Sequence, residues 1–126
     1  MTHILLIEDD ELLSRMYKNK LTNQGFAVTC AFDGEDGLAK IFSLKPDLVL
    51  LDIMMPKLNG QIVLARAKEN PTTKNIPIII LTNLAGAHDA QTALLAGAKS
   101  YIIKSDYTPT QVVERIKEIL SVRKTQ

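Results

Sequence analysis

The chain lacks several features, and each absence removes a class of function. It has no excess of charge of one sign: 15 Lys and Arg stand against 14 Asp and Glu among 126 residues, a net of +1. This is not a polyanion-binding composition, and intrinsic nucleic-acid binding is not expected. It also has no long hydrophobic run. The stretches Ile4 to Ile7 and Ile78 to Leu81 fall far short of the ~18 apolar residues of a membrane span, so no membrane insertion is expected. Polar Thr2 and His3, followed by the acidic run Glu8 to Glu11, leave no room for a signal peptide. The single cysteine, Cys30, cannot form an intrachain disulfide, which together with the missing signal makes the cytoplasm the expected location. One cysteine and two widely separated histidines, His3 and His88, are also a poor zinc set. What is present, 46% hydrophobic and 23% charged residues, can build one real core and excludes global disorder.

Four short apolar runs stand out: Ile4 to Ile7, Leu48 to Leu51, Ile78 to Leu81 and Tyr101 to Ile103. They read as strands buried on both faces, hence parallel. A fifth candidate, Ala27 to Ala31, mixes in polar residues and fits a sheet edge. Helical patterns lie between the runs. The first starts at or just after Asp10, carries Leu13, Met16, Tyr17 and Leu21 on one face, and ends near Gly25. Leu38, Ile41 and Phe42 mark the second. Ile62, Val63 and Ala67 mark the third, from Gly60 to before Pro71, and Ala90, Ala93 and Leu94 the fourth, up to Gly97. For the fifth, Thr108 is the N-cap, Pro109 the first helical residue and Gln111 the partner in a capping box, ahead of Val112, Val113, Ile116, Ile119 and Leu120. Alternating strands and helices with right-handed crossovers predict a three-layer α/β/α sandwich in one domain, with a polar tail from about Ser121 that frays.

In an open parallel sheet the working crevice lies beyond the carboxyl ends of the strands. The first strand closes with Glu8, Asp9 and Asp10, the third with Asp52, the fourth with Thr82 and the last with Lys104. Clustered carboxylates repel unless a cation joins them, and an oxygen-only set suits a hard ion such as Mg²⁺. Asp52 at the end of a buried strand can act as a nucleophile toward phosphorus, giving an acyl phosphate. Mg²⁺, Thr82 and Lys104 could then neutralise the phosphoryl oxygens from different sides. Taken singly, each residue has an ordinary explanation: Asp9 or Asp10 as a helix cap, Asp52 in a turn, Thr82 as a β-branched strand residue, Lys104 as a surface charge. Their coincidence at four strand ends favours the chemistry.

These residues sit in motifs that resemble the receiver domain of two-component response regulators along essentially the whole chain. The motifs are Ile4 to Glu11, Pro46 to Pro56 continuing to Asn59-Gly60, Pro77 to Thr82, and Gly97 to Lys104, with the Asp-x-x-Met-Pro-x-x-Asn-Gly stretch from Asp52 the most specific. The resemblance implies a flavodoxin-like fold, a five-stranded parallel sheet of order 2-1-3-4-5 with five helices, an order that receivers typify. It implies that Asp52 is the phosphoacceptor and that Glu8 and Asp9 form the acidic pair of a Mg²⁺ site, Asp9 directly and Glu8 through water. Met54 would add its backbone carbonyl. Lys104 would pair with the phosphoryl group, and Thr82 with Tyr101 would form the switch pair. The expected partners are a sensor histidine kinase or histidine phosphotransfer protein as donor and a downstream protein as target. The resemblance thus implies a cytoplasmic signalling switch, phosphorylated with Mg²⁺, and not a turnover enzyme.

Two departures from the family pattern bear on these expectations. Ser105 follows Lys104 where receivers usually carry a proline, often with a cis bond. A cis bond without proline costs about 2.5 to 4 kcal/mol, so a trans bond and a differently shaped loop are expected. Asn83 stands where a small residue is usual, and a larger polar side chain beside the phosphoryl group is expected to slow hydrolysis. The alternative is a pseudo-receiver regulated without phosphorylation. A flavin- or nucleotide-binding protein of the same architecture would need a Gly-, Ser- or Thr-rich phosphate loop where this chain has Glu8 to Glu11. With no output domain after the fifth helix, the chain reads as a stand-alone regulator or a fragment of a longer protein.

Overall fold

A computed structural model describes residues 1–125, with side chains through Ser121. In chain order the elements are β1 (His3–Ile7), α1 (Glu11–Asn23), β2 (Ala27–Ala31), α2 (Gly34–Leu44), β3 (Leu48–Leu51), α3 (Gly60–Glu69), β4 (Ile78–Thr82), α4 (Ala87–Leu95), β5 (Ser100–Ile103) and α5 (Pro109–Thr125). A single 3₁₀ turn, Lys104–Asp106, joins the last two. All strand pairs are parallel, and the order is β2-β1-β3-β4-β5.

Alternation along the central strands divides the core in two. Ile4, Leu6, Leu48, Leu50, Ile79 and Leu81 pack with Tyr17 and Leu21 of α1 and with the apolar face of α5. Leu5, Ile7, Val49, Leu51, Ile78 and Ile80 pack with α2, α3 and α4 on the opposite face. Helices on both faces explain why the strands read as unbroken apolar runs. The mixed composition of β2 matches its place at an edge. The expectation of two-sided burial fails for β5, where only Ile102 is buried, because β5 is the other edge strand.

Caps fix where the helices begin. Asp10 accepts hydrogen bonds from Leu12 N–H and Leu13 N–H at 2.9 and 3.1 Å. Thr108 and Gln111 form the reciprocal box, at 2.8 and 3.1 Å. Val112, Val113, Ile116, Ile119 and Leu120 are all buried, as their spacing requires. The helix runs on through Thr125, past the expected start of the tail. Two expected inward residues face solvent instead: Ile62 is 42% and Leu94 47% exposed. In α4 only Ala93 is buried. Cys30 is half-buried, not enclosed.

Candidate functional site

The carboxyl ends of β1, β3, β4 and β5 open on one rim, where the chain turns from strand to loop. Glu8, Asp9 and Asp52 each offer a carboxylate oxygen there, all within 4.8 Å of one another. Glu8 and Asp52 are buried and Asp9 is exposed. Lys104 crosses from the end of β5, donating from Nζ to Glu8 Oε1 and to Asp52 Oδ2 at 3.0 Å. Its side chain is only 11% exposed.

The backbone holds this cluster in place. Met54 N–H donates to Asp52 Oδ1 at 3.1 Å, and Asp10 N–H donates to Glu8 Oε2 at 3.2 Å. Below Asp52, Gly60 N–H donates to Ile53 O at 2.8 Å. A Cβ on Gly60 would lie 2.3 Å from the Asp52 carbonyl oxygen, so only glycine lets α3 start this close to the end of β3. Asn59 caps that helix by accepting from Gln61 N–H at 2.7 Å.

Burial raises the Glu8 carboxyl above its ordinary value, because the charged form loses solvation; Lys104 opposes the rise and Asp52 adds to it. Burial alone would lower Lys104, but its hydrogen bonds to Glu8 and Asp52 reverse the sign and its pKa is raised. The ammonium is therefore firmly charged. Three ionised carboxylates would face it, leaving the set two charges negative. That deficit, together with an oxygen-only donor set, fits a hard divalent cation.

Thr82 is fully buried at the end of β4, and its Oγ1 accepts from Leu84 N–H at 3.3 Å. Tyr101 on β5 donates its hydroxyl to Leu84 O at 2.6 Å. Both side chains thus meet the same residue of the β4–α4 loop. Burial raises the Tyr101 phenol as well.

The sequence profile of the response regulator receiver domain matches residues 4–117. The chain belongs to that family. It is 36% identical over 120 residues to the response regulator ArlR of Staphylococcus aureus, an alignment covering 95% of this chain and 53% of ArlR. The chain spans about half the length of the curated relatives it matches. Among solved structures, a CheY-like receiver domain protein from Methanospirillum hungatei superposes with a TM-score of 0.92 at 30% identity, covering 99% of this chain and 98% of the other. The Francisella response regulator 1452 receiver domain gives 0.88 at 28% identity, covering 98% and 99%. Receiver domains of response regulators work in phosphorylation-based signalling.

In this receiver Glu8, Asp9, Asp52 and Lys104 come together as the sequence anticipates, with Thr82 and Tyr101 meeting at the β4–α4 loop. Asn83 is exposed and lines a cavity of about 320 Å³ with Lys104 and Ser105. The Met54 side chain is 62% exposed, and the atom it brings to Asp52 is its backbone N–H. Every peptide bond among the described residues is trans, Lys104–Ser105 included, and the 3₁₀ turn is the altered loop. The ordinary explanation holds for Asp10, which is spent on the cap, and His3 is occupied with Thr29 Oγ1 at 2.7 Å from its Nε2. The sequence did not single out Leu84, whose contribution is a backbone carbonyl, or Gly60 as the floor of the site.

Proposed function

We propose that this receiver is a phosphorylation-dependent switch, rather than a turnover enzyme, that takes a phosphoryl group onto Asp52 from a phosphohistidine on a histidine kinase or phosphotransfer protein. The observation that carries this reading is the Lys104 ammonium bridging Glu8 and Asp52 at the mouth of the acidic cluster. An Asp52 carboxylate oxygen attacks phosphorus, the P–N bond breaks, and its electron pair leaves on the imidazole nitrogen. Asp52 is 7% exposed, so little water competes. Lys104 already sits 3.0 Å from Oδ2 and can follow the incoming phosphoryl oxygens, while Thr82 can donate its hydroxyl to them.

Mg²⁺ would be held by Asp9 and Asp52, with Glu8 and the Met54 carbonyl completing the protein's share; when bound it neutralises charge on the transferring phosphoryl group. Turning the Thr82 hydroxyl toward the phosphoryl group withdraws its bond from Leu84 N–H. The β4–α4 loop, held also by Tyr101, then shifts between two arrangements and alters the surface a downstream protein reads.

Intact-mass measurement after incubation with acetyl phosphate, with and without Mg²⁺, tests the reading. A single Mg²⁺-dependent phosphoryl adduct, absent from Asp52→Ala, is the expected result. No adduct and no Mg²⁺ binding would leave the phosphorylation-independent pseudo-receiver.

A further inference from the structure

The sheet edge opposite β5 is open. β2 pairs with β1 alone. Ala27 N–H donates to Thr2 O at 2.9 Å, and Ala31 O accepts from Glu8 N–H at 3.0 Å. By the two-residue alternation of a strand, Val28 and Cys30 direct their backbone groups the other way. The Cys30 carbonyl accepts from Lys40 Nζ at 3.0 Å, so one group on this edge is covered by α2. No strand among the described residues pairs with the others.

Beside this edge, between β2 and α1, lies a cavity of about 530 Å³ lined by Ser14, Arg15, Lys18, Val28, Cys30 and Phe32. Three observations indicate what it accepts. Arg15 and Lys18 are exposed and belong to no ion pair among the described residues, against one acid on the lining, Glu11. Phe32 is 46% exposed. Ser14 is 2% exposed, and its Oγ is the one buried side-chain polar atom without a partner among the described residues. An uncompensated buried hydroxyl is a standing cost that a ligand group can remove.

We propose that an extended, acidic segment of a partner protein docks on this edge, adding a strand to β2. Its backbone pairs with Val28 and the Cys30 N–H. An acidic side chain meets Arg15 and Lys18, and an apolar one lies between Val28 and Phe32. Main-chain pairing supplies affinity, and the cavity supplies selectivity. The site is separate from the acidic cluster and does not depend on phosphorylation of Asp52.

The test uses ¹⁵N-labelled protein titrated with an acetylated Glu-Val-Glu-Val-Glu-Val peptide and with its lysine counterpart. The expected result is saturable shifts confined to residues 14–18 and 28–32, slowed exchange of the Val28 and Cys30 amide protons, and no response to the lysine peptide. Arg15→Glu with Lys18→Glu, both at exposed helix positions, should weaken binding at least tenfold. Val28→Pro, which deletes one outward N–H at an edge where proline is tolerated, should do the same. No saturable shift at millimolar peptide, equal binding of the lysine peptide, or shifts on the β5 edge instead would each overturn the proposal.

Discussion

Replacing Lys104 by methionine keeps most of the apolar stem and removes the charge that Glu8 and Asp52 share. The side chains concerned are 11%, 4% and 9% exposed, so the loss leaves two buried carboxylates without a counter-charge. Truncating a buried pair costs about 3 to 5 kcal/mol. Because Glu8 is already raised and can take up a proton, about 3 kcal/mol is expected at neutral pH. With an unfolding entropy near 2.1 cal/mol/K per residue, that is a fall in Tm of roughly 11 °C for a chain of this length. The sign with pH follows from Glu8. In the folded parent its carboxyl holds a proton more tightly than its ordinary 4.5, so its contribution is complete below that value and is lost as pH rises through the raised one. Lys104 lowers Glu8, so its removal raises Glu8 further and widens that window. The deficit of the variant should therefore grow from pH 4 to pH 7. Lys104 itself, raised above 10.5, contributes stability up to that value and loses it above, so the variant should lack the parent's alkaline fall. Urea unfolding of both proteins across pH 4 to 11, without metal, reads all three effects. Equal stability at pH 7, or a deficit independent of pH between 4 and 7, would refute the account of the cluster.

Asp9→Asn should stabilise the metal-free protein by about 1 kcal/mol through relief of carboxylate repulsion, and thermal unfolding should no longer shift upward with Mg²⁺. Asp10→Ala should do the reverse, losing about 1 kcal/mol of helix capping while keeping the Mg²⁺ shift; matching metal responses in the two variants would undo the division of roles. Gly60→Ala puts a Cβ 2.3 Å from the Asp52 carbonyl oxygen, an overpacking worth about 1 to 3 kcal/mol, and should slow adduct formation as well as lower Tm. Asn83→Ala should shorten the lifetime of the phosphoryl adduct, followed by intact mass after removal of the donor; an unchanged or longer lifetime would exclude shielding by Asn83.

Strand-end residues were legible in the sequence because topology alone dictates where they converge: four apolar runs of similar length must end on one rim if they are parallel. Whether a run is central or at an edge is written only in its polar admixture. β2 carries Thr29 and Cys30 and declares itself; Tyr101-Ile102-Ile103 carries no such mark, yet β5 is an edge. Leu94 misleads for a related reason. In a short helix containing three alanines, the apolar stripe through Ala90 and Ala93 can be drawn with or without Leu94, and only packing against the sheet decides. Asp9 and Asp10 differ by one position, and strand and helix patterning alone leaves open which one meets the metal cluster and which caps α1; it is the resemblance that assigns Asp9 to the metal. The cap resolves it, since Asp10 Oδ1 accepts from both Leu12 N–H and Leu13 N–H.

Leu84 is the clearest case of a residue that meets both Thr82 and Tyr101 with no side-chain signature, and it leads to a test of the proposed switch. Its N–H donates to Thr82 Oγ1 at 3.3 Å and its carbonyl accepts from Tyr101 at 2.6 Å, so the loop after β4 is tied from both sides of one residue. The 3.3 Å bond is the weaker by length, and it is the one that Thr82 must give up to reach a phosphoryl group. Tyr101→Phe removes the stronger tie while keeping the ring. It should cost about 1 kcal/mol and speed amide exchange at residues 84–86, while leaving the rate of adduct formation on Asp52 within about twofold. Phosphorylation should then produce a smaller change in exchange there than it does in the parent, because the loop is already loosened. If Tyr101→Phe leaves that exchange unchanged, the hydroxyl does not hold the loop, and Thr82 alone would have to carry the signal out of the site.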